Sequence, residues 1–143
     1  MPLTLEQALT IARVTVETGR QRGLSPLCAV VLDPGGHALA LLRDERASIM
    51  RPKIATSKAA GCLGMGFGGR ELARRAAALP QLFATLNSVF PDGILPLPGG
   101  VLLRDADGVL LGAVGVSGET PDNDEICALA GIAAAGLIAE TGA

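Results

Sequence analysis

Gly99–Gly118, GGVLLRDADGVLLGAVGVSG, is the stretch that decides the fold. Two glycines lead into an apolar run, Asp105-Ala106-Asp107-Gly108 has the composition of a tight turn, and a second apolar run closes on Gly115-Val116-Ser117-Gly118. The pattern reads strand, turn, strand. Glycines beside strands let another backbone or a ligand come close, because no Cβ stands in the way. Here they frame a concavity. Just downstream, Pro121 and the acidic run Asp122-Asn123-Asp124-Glu125 open a segment with apolar residues at helical spacing, from Ile126 through Leu129 and Ile132 to Leu137.

Working back toward the N-terminus, three prolines between Phe90 and Pro98 impose an irregular loop. Before it, helical segments are expected over Gln81–Val89 and Glu71–Leu79, with a glycine-rich break between Gly64 and Gly69. Pro52 suits the first turn of a helix carrying Ile54, Ala55, Lys58, Ala59 and Cys62. Upstream, Leu27–Leu32 and His37–Arg43 flank Asp33-Pro34-Gly35-Gly36, a second hairpin. Thr4 and Gln7 form a capping-box signature, so the first helix runs from there to about Arg22 and ends at Gly23.

The expected class is α/β (α+β): an antiparallel sheet of two hairpins with helices packed on it, in one domain. Both hairpins are apolar on both faces, whereas an antiparallel sheet with one wet face alternates. The expectation is therefore helices on one face and self-association, as a dimer or larger homo-oligomer, on the other.

Composition narrows the function. A chain of 143 residues buries roughly 70% of the surface its unfolded form exposes. With no Trp or Tyr and three Phe, its core is aliphatic. A net charge of −2 gives no reason to expect nucleic acid, whose phosphates call for a basic surface. No apolar run approaches the roughly 20 residues of a membrane span, and the N-terminus lacks a secretory pattern. Cys28, Cys62 and Cys127 have no CxxC spacing, so neither a disulfide framework nor a zinc site is suggested. A reduced, cytoplasmic protein is the default.

Few side chains are left for chemistry. Arg51 and Lys53 stand where a helix begins, which opposes the helix dipole unless an anion sits there or the two are simply solvated. Lys58 lies two turns beyond Arg51 on the same face, among small apolar neighbours. A buried lysine needs a partner, and a ligand carboxylate would serve. Asp122, Asp124 and Glu125 suit a helix N-terminus as capping residues; the alternative is a cation or a hydroxyl- or amine-bearing ligand. Glu119, in the glycine loop, is the carboxylate best placed for general acid–base work. Ser117 is not in a nucleophile elbow, because the first glycine of GVSG is one residue too near. His37 is the only histidine.

The words AVVLDPGGHALALLR, IATSKAAGC and PGGVLLRDADGVLLGAVGVSGETPDNDEICALAG resemble the GlcG/HbpS-like haem-binding ("haem-degrading") family over about residues 5–140. The match is carried by Asp33, Gly35, Gly36 and His37, by Arg43 and Lys58, by Gly99 and Gly100, and by Gly115, Val116, Ser117, Gly118, Asp124 and Glu125. The resemblance implies a profilin-like α/β domain that assembles into dimers or rings and, in some lineages, binds haem. Three departures stand out: Asp44-Glu45-Arg46 where Met-Asp-Gly is common, Leu102 for a proline, and Glu119 for a second glycine.

Three readings are open. In the first, the protein binds haem or a small carboxylated, anionic ligand in a glycine-framed pocket contacted by Arg43, Arg51, Lys58, Gly99, Gly100, Asp124 and Glu125. Met50, Met65, Cys28, Cys62 and His37 are the side chains that could approach an iron, the first four reading first as core packing. In the second, it is a cofactor-independent isomerase, lyase or hydrolase. Lys58 and Arg43 then anchor an acid group, Gly99-Gly100 N–H groups stabilise charge, and Glu119 or Asp124 moves the proton. The third is a ligand-free structural oligomer.

Overall fold

A computed structural model describes residues 2–143. Five helices and five strands succeed one another as α1 (Leu5–Gln21), β1 (Cys28–Leu32), β2 (Ala38–Arg43), α2 (Arg51–Met65), α3 (Gly69–Ala78), α4 (Pro80–Leu86), β3 (Gly100–Arg104), β4 (Leu110–Ser117), α5 (Pro121–Ala134) and β5 (Ile138–Glu140). The strands form one antiparallel sheet in the order β2-β1-β4-β3-β5.

Local chemistry sets the boundaries. At the start of α1, Thr4 Oγ1 accepts from Gln7 N–H at 3.0 Å while Gln7 Oε1 accepts from Thr4 N–H at 3.0 Å, the reciprocal cap that the sequence spells. Helix α2 ends at Gly66, whose φ of +82° is available to glycine at little cost. The two hairpins use one device. Asp33 Oδ1 accepts from the N–H groups of Gly35 and His37, and Asp105 Oδ1 from those of Asp107 and Val109. Each turn carboxylate thereby ties down its own corner.

Strand β1 explains the missing alternation. All five of its residues are buried. Ala29 and Val31 point into a core with Ala8, Ile11 and Ala12 of α1 and Ala128 and Ile132 of α5. Cys28, Val30 and Leu32 point into the opposite core, with Ala55, Ala59 and Cys62 of α2 and Leu72 of α3. Burying one such Val or Leu contributes about 1.5–3 kcal/mol. Helices of the same chain cover both faces of β1, and a strand buried on both sides needs no alternation. At the sheet edge, Leu41 and Leu42 of β2 stay exposed.

One boundary also moves, and one strand is new. The final helix stops at Ala134 rather than Leu137, because Gly136 turns the chain at φ +73°. Past that turn the chain forms β5, an edge strand on β3 with Leu102 opposite Glu140 and Arg104 opposite Ile138. Among the described residues no helix is long and apolar enough to cross a membrane.

Candidate functional site

The glycine corners are where α2 lies on the sheet. A Cβ on Gly100 would stand 2.6 Å from the Lys58 carbonyl oxygen and 2.8 Å from Cys62 Sγ, and one on Gly115 would strike the Ala55 carbonyl. Gly99, at φ +104°, faces Lys58 Nζ; a Cβ there would come within 2.9 Å of that nitrogen and 3.1 Å of Asp124 Cβ. The space expected for a ligand between these glycines is occupied within the protomer by α2 backbone and by the Lys58 and Asp124 side chains. The close approach is real, but its beneficiary is a helix.

Lys58 runs past the end of β3 and reaches from the α2 layer to the α5 layer. Its ammonium donates to Asp124 Oδ2 at 3.0 Å and to the Val116 carbonyl at 2.9 Å. The side chains of the pair are 3% and 1% exposed. The partner that a buried lysine requires is therefore supplied by the chain itself. Asp124 spends its other oxygen on Glu119 N–H at 2.9 Å. Burial pushes its carboxyl above the usual carboxylate range, against the pull of Lys58. The charge is held because it is paired and hydrogen-bonded on both oxygens.

The rest of the acidic run is similarly committed. Glu125 accepts from Arg70 Nε at 3.0 and 2.9 Å, and Asp122 from Arg70 Nη2 at 2.9 Å. Arg70 lies on α3, so the first turn of α5 is stapled to the opposite layer by Lys58 and by Arg70. Thr120 Oγ1 caps α5 by accepting from Asn123 N–H at 3.3 Å. Among the described residues no three His, Cys, Asp or Glu side chains converge as a metal site would require.

Glu119 Oε2 accepts from Ser25 N–H at 2.8 Å and Oε1 from Thr120 N–H at 3.3 Å. The Ser25 N–H, then that of Thr120, hold its carboxyl below its ordinary value. It pins the α1–β1 connection to the β4–α5 loop. A general base would instead be raised toward neutrality.

Arg43 curls over the loop after β2, its Nη1 donating to the carbonyls of Ala47 (2.7 Å), Asp44 (3.2 Å) and Glu45 (3.4 Å). Arg51 is half-buried, and its Nη1 donates to Ser117 Oγ at 3.0 Å. No carboxylate lies within ion-pair distance of Arg51 among the described residues. Both sit on the α2 side of the sheet, because Arg43 and Ser117 each face Cys28 in register. Burial pushes the Cys28 thiol up to about 11 and that of Cys62 up to about 12, so neither is a thiolate near neutrality. Lys53, Met50 and His37 are exposed.

Two features escape sequence reasoning. Asp44 is a buried carboxylate held by Arg20 Nε at 2.8 Å and by Arg46 Nη2 at 3.2 Å. Arg20 also reaches Glu45 at 2.8 Å. The Asp44-Glu45-Arg46 departure thus serves an ion network with α1. The second is the segment 87–95, which packs on the outer face of α2: Ser57 Oγ donates to the Asp92 carbonyl, and Gly61 and Gly64 admit Ile94 and Phe90. Separate surface hollows open beside it, one of about 520 Å³ lined by Lys53, Thr56 and Asp92, and two of about 180 Å³, one near Met50 and Ile54 and one near Leu63 and Phe90. The only sequence signal for this segment is the proline-rich loop.

Known proteins share this fold. A sequence model of the family described as "Haem degrading protein HbpS-like" matches residues 3–133. The crystal structure of HbpS is 34% identical, covers 93% of this chain and 89% of its own, and superposes with a TM-score of 0.79. A PduOC:Heme complex is 25% identical, with 100% of each chain covered and a TM-score of 0.84. The Klebsiella pneumoniae protein ORFY, at 24% identity, covers 94% of this chain and 90% of its own with a TM-score of 0.82, a likeness of fold. No curated protein matches at a significant level. The family model over residues 3–133 and the 34% identical HbpS structure, matching nearly end to end, show that this chain belongs to the HbpS-like family.

Proposed function

We propose that this protein binds haem and does not act as an enzyme on a small carboxylate. The observation that carries the reading is the end-to-end similarity to a chain solved as a haem complex, within a family shared with HbpS. Two sets of residues bear on the competing view. Lys58 and Asp124 neutralise one another out of reach of solvent, and Glu119 is committed to backbone N–H groups. We assign Lys58, Asp124, Glu125, Gly99 and Gly100 to the architecture of the sheet end.

Haem asks for an apolar wall, cations for its propionates and an axial donor. This chain offers aliphatic surface with Phe90 on the outside of α2, Lys53 with its charge unpaired among the described residues, and an accessible imidazole in His37. The donor set fits the group. Bound haem would supply an iron centre; the chain's own residues bind it, orient it and limit its contact with water. Arg51, with donors beyond the Ser117 bond, is the second cation that an anionic ligand would meet. Self-association belongs to the same proposal: Leu41, Leu42, Ile49 and Met50 expose apolar surface beside the edge strand β2.

The test is a haemin titration followed in the Soret region. A saturable, red-shifted band at near-stoichiometric haemin is expected. A spectrum indistinguishable from free haemin at protein excess refutes the proposal. Light scattering on the same samples reads the subunit number, with a strictly monomeric mass counting against self-association.

A further inference from the structure

The two edges of the sheet are finished differently. We infer that β2, the open edge, pairs with β2 of a second copy of this chain across a two-fold axis at Leu41, joining the two sheets into one; this rests on, and deepens, the self-association proposed above.

At the far edge the chain closes itself. β5 adds only three residues to β3, and Arg104 Nε pairs with Glu140 Oε1 across that joint at 3.0 Å. The tail beyond it is tied to α3, where the Arg70 N–H donates to the Thr141 carbonyl at 3.0 Å, and a Cβ on Gly68 would strike that same peptide. A short edge with charges on it discourages pairing with another chain. β2 carries no such device. It reads ALALLR, six residues without proline or acid, with Arg43 at the end. Its bulge lies at the start, opposite Val31 and Leu32, and Ala40–Arg43 keep regular register with β1. Leu41 and Leu42 are 43% and 36% exposed. An unguarded apolar edge of this kind is a template for strand addition.

Hydrogen-bond phase fixes how a second copy fits. The Asp44 N–H donates to the Leu27 carbonyl at 3.0 Å, one step beyond the Arg43–Cys28 pair. Residues of an antiparallel strand turn their backbone groups alternately to one side and the other. Ala40, Leu42 and Asp44 therefore face β1, and Leu41 and Arg43 face outward. The outward N–H and C=O groups of Leu41 and Arg43 meet no partner among the described residues. Antiparallel pairing about Leu41 lets the two Leu41 residues exchange both N–H···O=C bonds on the axis, and sets Arg43 opposite the partner subunit's Leu39. The side chains agree. Leu41 faces Val30 and lies on the α2 side, whereas Leu42 faces Ala29 and lies on the α1 side. Directly opposed residues share a face, so Leu41 meets Leu41 on one face and Leu42 meets the partner subunit's Ala40 on the other. Ile49 and Met50, exposed in the connection to α2, extend the apolar surface on the Leu41 side. Charges are also placed favourably: each Arg43 faces a leucine, and the same register carries His37 toward the partner subunit's Glu45. A second β2 is thus the occupant whose backbone phase, side-chain sizes and charges this edge meets all at once.

Light scattering across a dilution series reads the assembly. Wild type is expected at twice the 14.5 kDa of one chain, or at a multiple of that. Leu41→Pro removes an N–H that the fold does not use, at a place where an edge strand accepts proline. Leu41→Lys sets two like charges against each other on the axis. Both variants are expected to halve the mass or more, with far-UV circular dichroism unchanged; the lysine variant decides the matter if the proline variant does not fold. Cross-linking reads the register. Opposed residues of a hydrogen-bonded pair have Cα atoms about 5.5 Å apart, within the roughly 4.4–6.8 Å that a disulfide spans. Leu41→Cys is therefore expected to oxidise to a covalent dimer. Leu42→Cys, whose counterpart lies on the diagonal about 7–8 Å away, should lag by about tenfold or more. The native Cys28, Cys62 and Cys127 are buried and do not compete. A Leu41→Lys protein with the multimeric mass of wild type overturns the β2 edge and leaves self-association standing. Faster cross-linking at Leu42 overturns the axis at Leu41. Wild type at 14.5 kDa at every concentration takes down both the edge and self-association, and the haem reading is judged apart from it by the Soret titration.

Discussion

Replacing Lys58 by Met should be among the most damaging single substitutions in this protein. Methionine has nearly the reach and volume of the lysine stem, so little packing is lost. What is lost is the ammonium, leaving Asp124, whose side chain is 1% exposed, without its counter-charge and the Val116 carbonyl without a donor. Breaking a buried pair from one side costs about 3–5 kcal/mol, because the surviving charge stays desolvated. A domain of this size is stable by about 5–15 kcal/mol, so about a fifth or more of the margin is at stake. In melting temperature that is roughly 6–20 °C, at about 2–4 °C per kcal/mol for domains of this length. The paired change Lys58→Met with Asp124→Asn distinguishes charge from shape. Asparagine keeps an acceptor for Glu119 N–H, now held at 2.9 Å, and carries no charge to strand. The double variant should regain much of the loss, giving a coupling energy of about 2 kcal/mol or more in a double-mutant cycle by urea denaturation. A loss under about 1 kcal/mol for Lys58→Met, the range of solvent-exposed pairs, refutes the reasoning. So does a double variant as unstable as the sum of the singles.

Two further substitutions probe the same physics elsewhere. Gly99→Ala puts a Cβ at φ +104° and within 3.0 Å of the Val116 carbonyl oxygen, so strain and crowding together should cost about 2 kcal/mol or more, read as a fall in urea midpoint at constant slope. Asp44 gives a pH signature. Hydrogen bonds from Arg46 and then Arg20 hold its folded-state value well below the ordinary one. Its stabilisation is therefore complete above the unfolded-state value near 4 and drains away as pH falls toward the folded one. In Asp44→Asn, melting temperature measured from pH 6 down to pH 2 should start lower and fall less steeply than in wild type; parallel curves would rule the network out as a source of acid sensitivity.

Periodic and punctuated features are legible in the chain, and features made by crossing the sheet are not. Thr4 and Gln7 announce the first cap, and Asp33-Pro34-Gly35-Gly36 and Asp105–Gly108 announce two turns, because each works through neighbours a few residues apart. The burial of Lys58 is legible from Ala55, Ala59 and Cys62 around it. Its partner is not, since Asp124 is 66 positions away and is reached only by passing the end of β3. A capping reading of the acidic run gives no hint that Lys58 and Arg70 are drawn to it across layers, and it is Thr120 that caps the helix. Strand β5 escapes because three residues after a glycine carry too little pattern to outweigh the helix before them. The doubly apolar hairpins suggest a face awaiting a partner. A strand with helices on both sides has the same text, and only the packing of α1 and α5 against one face and α2 and α3 against the other separates the two.

The glycine pair and the Lys–Asp–Glu set that mark the family are spent on one mechanical task. They let α2 lie directly on β3 and β4 and tie it, with α3, around the sheet end to α5. Residues so fully engaged have no free donor or acceptor with which to discriminate among ligands, and changing one to suit a new ligand would cost the fold about 3–5 kcal/mol. Ligand discrimination is therefore expected at side chains that can vary without that cost, such as the exposed Lys53 and His37.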